Sequence, residues 1–290
     1  MTESTTRTDD LTVTTTTGTT TGGAGTTPTP RPLALVTGAS SGIGLELAKQ
    51  FASHGHDVVV VAEDAELDRA VADLALHGDA TVHPVRADLA TAEGVEQVWQ
   101  AVQATGRPLS AVALNAGIGR GGAFVETPLD DELRLVDLNV RSVVHLAKLA
   151  VRDMHARGQG RVLITSSVAS TMPGPFQAVY NASKSFVQSF SQALQAELTD
   201  SPVTVTALMP GPTDTEFFGR AGLRGTLIGE GPKDDPAQVA AQGYEAMMAG
   251  RTKVLGGSLL SKAQGVTSAL LPDAVKAAAH RLMAKPGGAK

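Results

Sequence analysis

Leu33-Ala34-Leu35-Val36-Thr37-Gly38-Ala39-Ser40-Ser41-Gly42-Ile43-Gly44 runs from an apolar strand through a glycine turn into a helix. Leu33 to Val36 is a short continuous apolar run ended by Thr37-Gly38, the pattern of a strand buried on both faces. From Ile43 to His54 the apolar residues switch to helical spacing, with Ile43, Leu47, Ala48 and Phe51 on one face. Glycines at such a junction let the backbone turn tightly and come close to a pyrophosphate. The free N–H groups and positive dipole end of the helix then favour the anion.

The same alternation continues outward along the chain. Strands are predicted at Val58–Ala62, Thr81–Val85, Ser110–Leu114, Arg161–Thr165 and Val203–Leu208. Helices are predicted between them at Glu66–His77, Glu93–Ala104, Leu133–His155 and Val179–Leu198. Apolar strands separated by helices make a parallel sheet covered on both faces. Right-handed crossovers then give an α/β fold of the Rossmann type, a doubly wound parallel sheet of about seven strands, with Val254 and Leu255 closing it. The Gly- and Pro-rich stretch near 215–248 reads as a mobile insertion into the catalytic domain (32–256), with a helix near Pro236–Met248. Residues 257–290 form a C-terminal extension, helical in pattern from Leu259 to Lys285. Residues 1–31, dominated by Thr and Gly, lack the apolar side chains that offset ordering entropy and read as a disordered tail.

Composition excludes several classes. The chain of 290 residues has no cysteine, hence no disulfide scaffold, thiol nucleophile or Cys-ligated metal. No metal is expected. The net charge of −5 comes from scattered residues, so no nucleic-acid stripe is expected. No apolar run reaches the roughly 20 residues of a membrane span, and no secretory signal is evident, so a soluble, cytoplasmic protein is expected. Gly38 to Gly42 also reads G-x-S-x-G, the nucleophile elbow of α/β-hydrolases. A hydrolase needs an acid and a histidine downstream, and His145, His155 and His280 have no convincing setting for it. His54, His56, His77 and His83 read as surface or helix-end residues.

A second cluster carries proton chemistry. The strand ending Ile164-Thr165-Ser166-Ser167 is followed thirteen residues later by Tyr180, with Lys184 one helical turn beyond on the same face. A free phenol, with a pKa of about 10, exchanges protons poorly near neutrality. A neighbouring ammonium favours the phenolate and would bring Tyr180 toward the range useful for general acid–base catalysis. Ser167, at the carboxyl end of a strand, could hydrogen-bond a substrate oxygen.

Taken in order, Thr37-Gly38-x-x-x-Gly42-Ile43-Gly44, Asp88, Asn115-Ala116-Gly117, Asn139, Ser167, Tyr180-x-x-x-Lys184 and Pro210-Gly211 resemble the short-chain dehydrogenase/reductase family. The resemblance covers roughly Leu33 to Thr215. It implies an NAD(P)-dependent oxidoreductase moving a hydride between a nicotinamide and a carbonyl or alcohol. It implies Tyr180 as general acid and base, Ser167 orienting the carbonyl, and Lys184 binding the nicotinamide ribose. Asn139 would hold a water in the proton relay. For the cofactor it implies the turn Gly38, Ser40, Ser41, Gly42, Ile43 and Gly44 at the pyrophosphate, and Asp88 and Leu89 at the adenine. Asn115, Ala116 and Gly117 would border the ribose, while Pro210, Gly211, Thr213, Asp214 and Thr215 would grip the carboxamide. Family members commonly form homodimers or homotetramers, so a homo-oligomer is expected.

The residue after the second strand discriminates the two nicotinamide cofactors, an acid favouring the ribose 2′-hydroxyl and an arginine a 2′-phosphate. Glu63 and Asp64 stand there, and Ser41 rather than a basic residue precedes Gly42, which points to NAD over NADP. In the family an arginine after the alanine is a common NADP pattern, and Glu63 takes its place. Met172, Pro173, Phe176, Phe217, Phe218 and Leu223 in the pocket segments favour an apolar or mixed small-molecule substrate. A dinucleotide-binding protein without catalysis would need the glycine cradle but not the Tyr–Lys–Ser–Asn set.

Overall fold

The computed structural model describes residues 1–2, 31–258 and 271–288. Residues 3–30, most of the predicted tail, and 259–270, the start of the predicted C-terminal extension, lie outside the described residues. The elements begin with β1 (Leu33–Thr37), α1 (Gly42–Ser53), β2 (Asp57–Ala62), α2 (Glu66–Leu74), β3 (Val82–Arg86), α3 (Ala92–Ala104) and β4 (Leu109–Leu114). It continues through α4 (Leu129–Val136), a π turn (Asp137–Arg141), α5 (Ser142–Arg157), β5 (Gly160–Thr165) and a 3₁₀ turn (Val168–Thr171) to α6 (Ala178–Glu197) and β6 (Val203–Pro210). Last come α7 (Phe217–Arg220), α8 (Leu227–Glu230), α9 (Pro236–Met248), β7 (Lys253–Gly256) and α10 (Asp273–Ala284).

All seven strands pair in parallel, in the order β3-β2-β1-β4-β5-β6-β7. Successive side chains of a strand point to opposite faces. Leu33 and Leu35 therefore enter one core with Val98, Val112, Leu146 and Ile164, while Ala34 and Val36 enter the other with Leu47 and Phe51. Both faces are dry, which is why the strands read as continuous apolar runs. On the second face α9 packs along α1, and Tyr244 meets Phe51 edge-on with ring centroids 5.2 Å apart.

The topology reverses between β1 and β4, which places a crevice beyond the carboxyl ends of those two strands. Hydrogen bonds lace the ends together. Thr37 Oγ1 accepts from the amides of Asn115 (2.9 Å) and Ala116 (3.0 Å), and Thr165 Oγ1 donates to Asn115 Oδ1 (3.0 Å).

Two expectations need correction. The helix predicted over Leu133–His155 begins earlier, at Leu129, and is broken by the π turn that carries Asn139. Asn139 is pulled inward there: its Nδ2 donates to the Ile118 carbonyl (2.8 Å) and its Oδ1 accepts from the Ile118 amide (2.9 Å). The widened turn accommodates this, as π turns do at functional sites. His56 is buried rather than a surface residue, its ring edge-on to Phe51 at 5.2 Å. In the 215–248 stretch, α7 and α8 gather around a small apolar cluster of Phe218, Ala221 and Leu223, with a bridge between Thr213 and Asp234, while α9 falls at the predicted Pro236–Met248 and packs into the second core.

Among the described residues no helix is long and apolar enough to cross a membrane.

Candidate active site

At the crevice lies a cavity of about 540 Å³. The glycine turn forms part of its wall, and close packing explains its residue types. Gly38 and Gly42 have φ of +66° and +56°, the left-handed region that favours glycine. A β-carbon on Gly42 would stand 2.8 Å from Thr215 Cγ2, and one on Gly44 would collide with the Gly38 carbonyl oxygen. Ser41 caps α1 without a side-chain hydrogen bond, so the first helix amides face the crevice free of that competitor. The backbone here fits a pyrophosphate.

The same cavity is lined by Ser40, Ile43, Glu63, Asp88, Leu89, Asn115, Ala116 and Gly117 on one side of the crevice. Ser167, Tyr180, Lys184, Pro210, Gly211, Thr213 and Thr215 line it as well. Ser40 Oγ donates to Asp64 Oδ2 at 3.1 Å, an acid and not a histidine, which gives the hydrolase reading no base at its serine. Asn139, 1% exposed, stands behind Gly117 and donates to Ser183 Oγ at 3.1 Å. A β-carbon on Gly117 would meet Asn139 Oδ1 at 3.1 Å and Lys184 Nζ at 3.3 Å, so the two side chains converge on one glycine.

Tyr180 and Lys184 project from the first turns of α6, which the 3₁₀ turn braces through Asn181. The Asn181 amide donates to the carbonyls of Ala169 (3.1 Å) and Met172 (3.2 Å). Ser167 caps the 3₁₀ turn, accepting from the Ala169 amide (3.1 Å), and its Oγ donates to the Pro210 carbonyl (3.4 Å) close to the Tyr180 phenol. Phe217 of α7 covers the Tyr180 ring at 5.2 Å between centroids.

The electrostatics depart from expectation. Burial pushes the Tyr180 phenol up to about 12, against a smaller downward pull from Ser167. Burial also brings Lys184 down to about 8. The expected lowering of Tyr180 by Lys184 is absent because Lys184 Nζ lies 6.0 Å from the ring centroid and donates to the Thr165 carbonyl at 3.0 Å.

Arg134 escaped the sequence reading: on α4 it bridges Glu63 (2.6 Å) and Asp88 (2.9 Å), while Arg220 of α7, one of the few charges of the pocket segments, lies 3.8 Å from Asp64. Burial works to raise Asp88, but the hydrogen bonds from Arg134 and the Ala90 amide outweigh it and hold the acid below its ordinary value. The acids after β2 are therefore partly neutralised. His280 of α10, named in the sequence only as a histidine without a hydrolase setting, stands at the cavity. It is 2% exposed, lines the cavity and hydrogen-bonds the Pro175 carbonyl through Nδ1 at 3.1 Å.

The strand order, the switch between β1 and β4 and the glycine turn define a Rossmann-type nucleotide fold. The short chain dehydrogenase family model matches residues 32–223. An uncharacterized short-chain type dehydrogenase/reductase of Sinorhizobium fredii is 34% identical over 213 residues, 71% of this chain and 82% of the relative. A short-chain dehydrogenase from Sphingobium yanoikuyae, solved in complex with NADPH, superposes with a TM-score of 0.73 at 28% identity, covering 84% of this chain and 97% of that one. A short chain dehydrogenase/reductase from Burkholderia phymatum, solved in complex with NAD, gives 0.71 at 26% identity, covering 78% and 89%. This chain belongs to the short-chain dehydrogenase family of oxidoreductases.

Proposed function

We propose that the chain interconverts a carbonyl compound and a secondary alcohol at the expense of a nicotinamide dinucleotide, with Tyr180 as proton donor and acceptor. The observation that carries this reading is that Ser167, Tyr180 and Lys184 line one cavity with the Gly38–Gly44 turn, with Asn139 directly behind. When bound, the nicotinamide supplies or takes the hydride. In reduction Tyr180 gives its phenolic proton to the carbonyl oxygen, and in oxidation it takes the proton back. Ser167, whose hydroxyl pulls the phenol's pKa downward against burial, orients the substrate oxygen beside it.

Lys184 serves the ribose hydroxyls of the cofactor. Asn139 fixes the turn after β4 and places its amide beside Lys184, where a relay water would sit. Ser40, Ser41 and the turn glycines with Ile43 would hold the pyrophosphate, and Asp88 and Leu89 the adenine. Asn115, Ala116 and Gly117 would border the ribose, and Pro210, Gly211, Thr213 and Thr215 the carboxamide. NAD is the favoured cofactor, on the strength of Glu63 and Asp64, with Arg134 and Arg220 moderating that preference.

Met172, Phe217, Phe218 and Ile228 in the cavity wall support an apolar or mixed substrate. The exposed apolar stripe of Leu129, Leu133 and Val136 on α4, spaced for one helix face, supports a homodimer or homotetramer.

The test is to follow reduced nicotinamide optically while the purified chain meets a panel of ketones, aldehydes and secondary alcohols. Turnover that disappears in Tyr180→Phe is the expected result. Dinucleotide binding with no turnover of any member, or unchanged turnover in that variant, would overturn the reading.

A further inference from the structure

The C-terminal helix α10 lies outside the stretch that the family model matches, yet it closes part of the cavity that holds Tyr180. Lys276, Ala279, His280 and Met283 fall at i, i+3, i+4 and i+7, one face of the helix, and all four line that cavity. The face is pinned at two points to the segment between Ser167 and Tyr180. Lys276 Nζ donates to the Thr171 carbonyl at 3.0 Å, with its side chain 10% exposed. His280 donates through Nδ1 to the Pro175 carbonyl, since a carbonyl can only accept. Thr171 ends the 3₁₀ turn, and Pro175 precedes Phe176, whose φ of +66° is the one left-handed non-glycine conformation among the described residues. The Phe176 carbonyl in turn accepts from the Gly122 amide at 2.9 Å.

The polar members of this face are thus satisfied by backbone carbonyls, and what they hold at the cavity is apolar. Met283 is 37% and Leu271 46% exposed, and both line the cavity rather than the general surface. Val275 and Leu282, the other exposed large apolar residues of the helix, do not line it. Apolar surface left open in a cavity continuous with a catalytic phenol is covered by the part of a substrate that does not react.

We propose that α10 is the outer wall of the substrate pocket, that Ala279 and Met283 set the length of substrate admitted, and that the substrate is a carbonyl compound or alcohol with an extended apolar tail. This rests on the dehydrogenase reading above. Lys276 and His280 act as positioning residues that keep the wall against the segment carrying the catalytic groups.

The test measures kcat and KM separately for methyl ketones of increasing chain length, from 2-butanone to 2-undecanone, in the full chain and in two variants. Ala279→Leu narrows the wall, and Met283→Ala opens it. For the parent, kcat/KM rises with chain length. Ala279→Leu lowers kcat/KM for the long ketones about tenfold or more through KM, with 2-butanone within about twofold, and Met283→Ala shifts the preferred length upward. Dinucleotide affinity, titrated by nicotinamide fluorescence, stays within about twofold in both and certifies the fold. Parent turnover with length profiles unchanged in both variants overturns the wall and leaves the dehydrogenase reading standing. A parent that binds dinucleotide but reduces none of the ketones overturns both.

Discussion

Lys184 donates its ammonium to the Thr165 carbonyl at 3.0 Å, deep in the crevice, with Nζ 6.0 Å from the centre of the Tyr180 ring. The ion is buried with one polar partner of partial charge, and burial depresses its pKa to about 8. A lysine whose folded pKa lies below its unfolded value of about 10.4 binds more protons when unfolded. Stability therefore rises with pH between about 8 and 10.4 on account of this group, and the full penalty is present below 8. Lys184→Met removes the titration. Denaturant unfolding of the dinucleotide-free chains is expected to show the parent gaining on the variant as pH rises from 7 to 10. A constant difference across that range would place the ammonium in better-solvated surroundings.

The phenol makes a matching prediction for activity. With Tyr180 held near 12, reduction finds it protonated across the neutral range, whereas oxidation needs a base and is favoured by alkali. Tyr180→Phe deletes the proton donor without emptying the space beneath Phe217. Turnover is expected to fall by about 10²–10⁴-fold, the usual contribution of general acid–base catalysis. Ser167→Ala, which removes a hydroxyl that pulls the same phenol's pKa downward, falls less. Dinucleotide affinity measured by fluorescence titration stays near the parent value in both.

How much of this was legible in the chain depends on the range of the interaction. Strands β1, β2 and β4 declare themselves because both sheet faces are dry, so Val58 to Val61 must be apolar without alternation. The glycine turn is legible because Gly42 and Gly44 answer to local backbone geometry. The π turn at Asn139 was not, since apolar spacing continues on both sides and the cause is a bond to Ile118, twenty-one residues away. Arg134 reaches Glu63 across 71 positions, and His280 reaches Pro175 across 105. No local pattern encodes such pairs. Tyr180 and Lys184 show the same limit: their spacing was correct, but whether the ammonium lowers the phenol depends on Thr165, which competes for it.

Gly44 offers a direct test of the anion cradle. A β-carbon there meets the Gly38 carbonyl oxygen and comes within 2.6 Å of Asn115 Nδ2. Gly44→Ala must push the first turn of α1 away from the strand ends that Thr37 and Asn115 hold together. Dinucleotide affinity is expected to drop at least about tenfold, equivalent to 1.4 kcal/mol, measured by isothermal calorimetry. Retained affinity would show that the pyrophosphate does not rest on this turn.

The stripe on α4 predicts an assembly defect. Leu129 and Leu133 are 67% and 52% exposed, one turn apart, with Phe124 and Val125 exposed just before them. Contiguous apolar surface of this kind marks an interaction site. Leu133→Glu would bury a charge in a subunit contact, and sedimentation is expected to show its mass falling to the monomer value, with the parent sedimenting as a dimer or tetramer. A monomeric parent would sink the assignment.

The bridge from Arg134 to Glu63 and Asp88 is expected to govern cofactor choice. An exposed ion pair contributes about 0–1 kcal/mol to stability, so its two members can be altered without unfolding the chain, and the two alterations pull in opposite directions. Arg134→Ala releases Glu63 to accept from a ribose 2′-hydroxyl and to repel a 2′-phosphate, which sharpens the preference for NADH. Glu63→Ala removes one of the two acids that hold Arg134, leaving Asp88, and frees part of the guanidinium to meet a 2′-phosphate, a charge-assisted contact of about 1.5–3 kcal/mol, which is expected to move the preference toward NADPH. The measurement is kcat/KM for both cofactors with one substrate in three proteins. If both variants shift the ratio the same way, the bridge does not govern selectivity, and Asp64 with Arg220, 3.8 Å apart at the same cavity, becomes the pair to alter next.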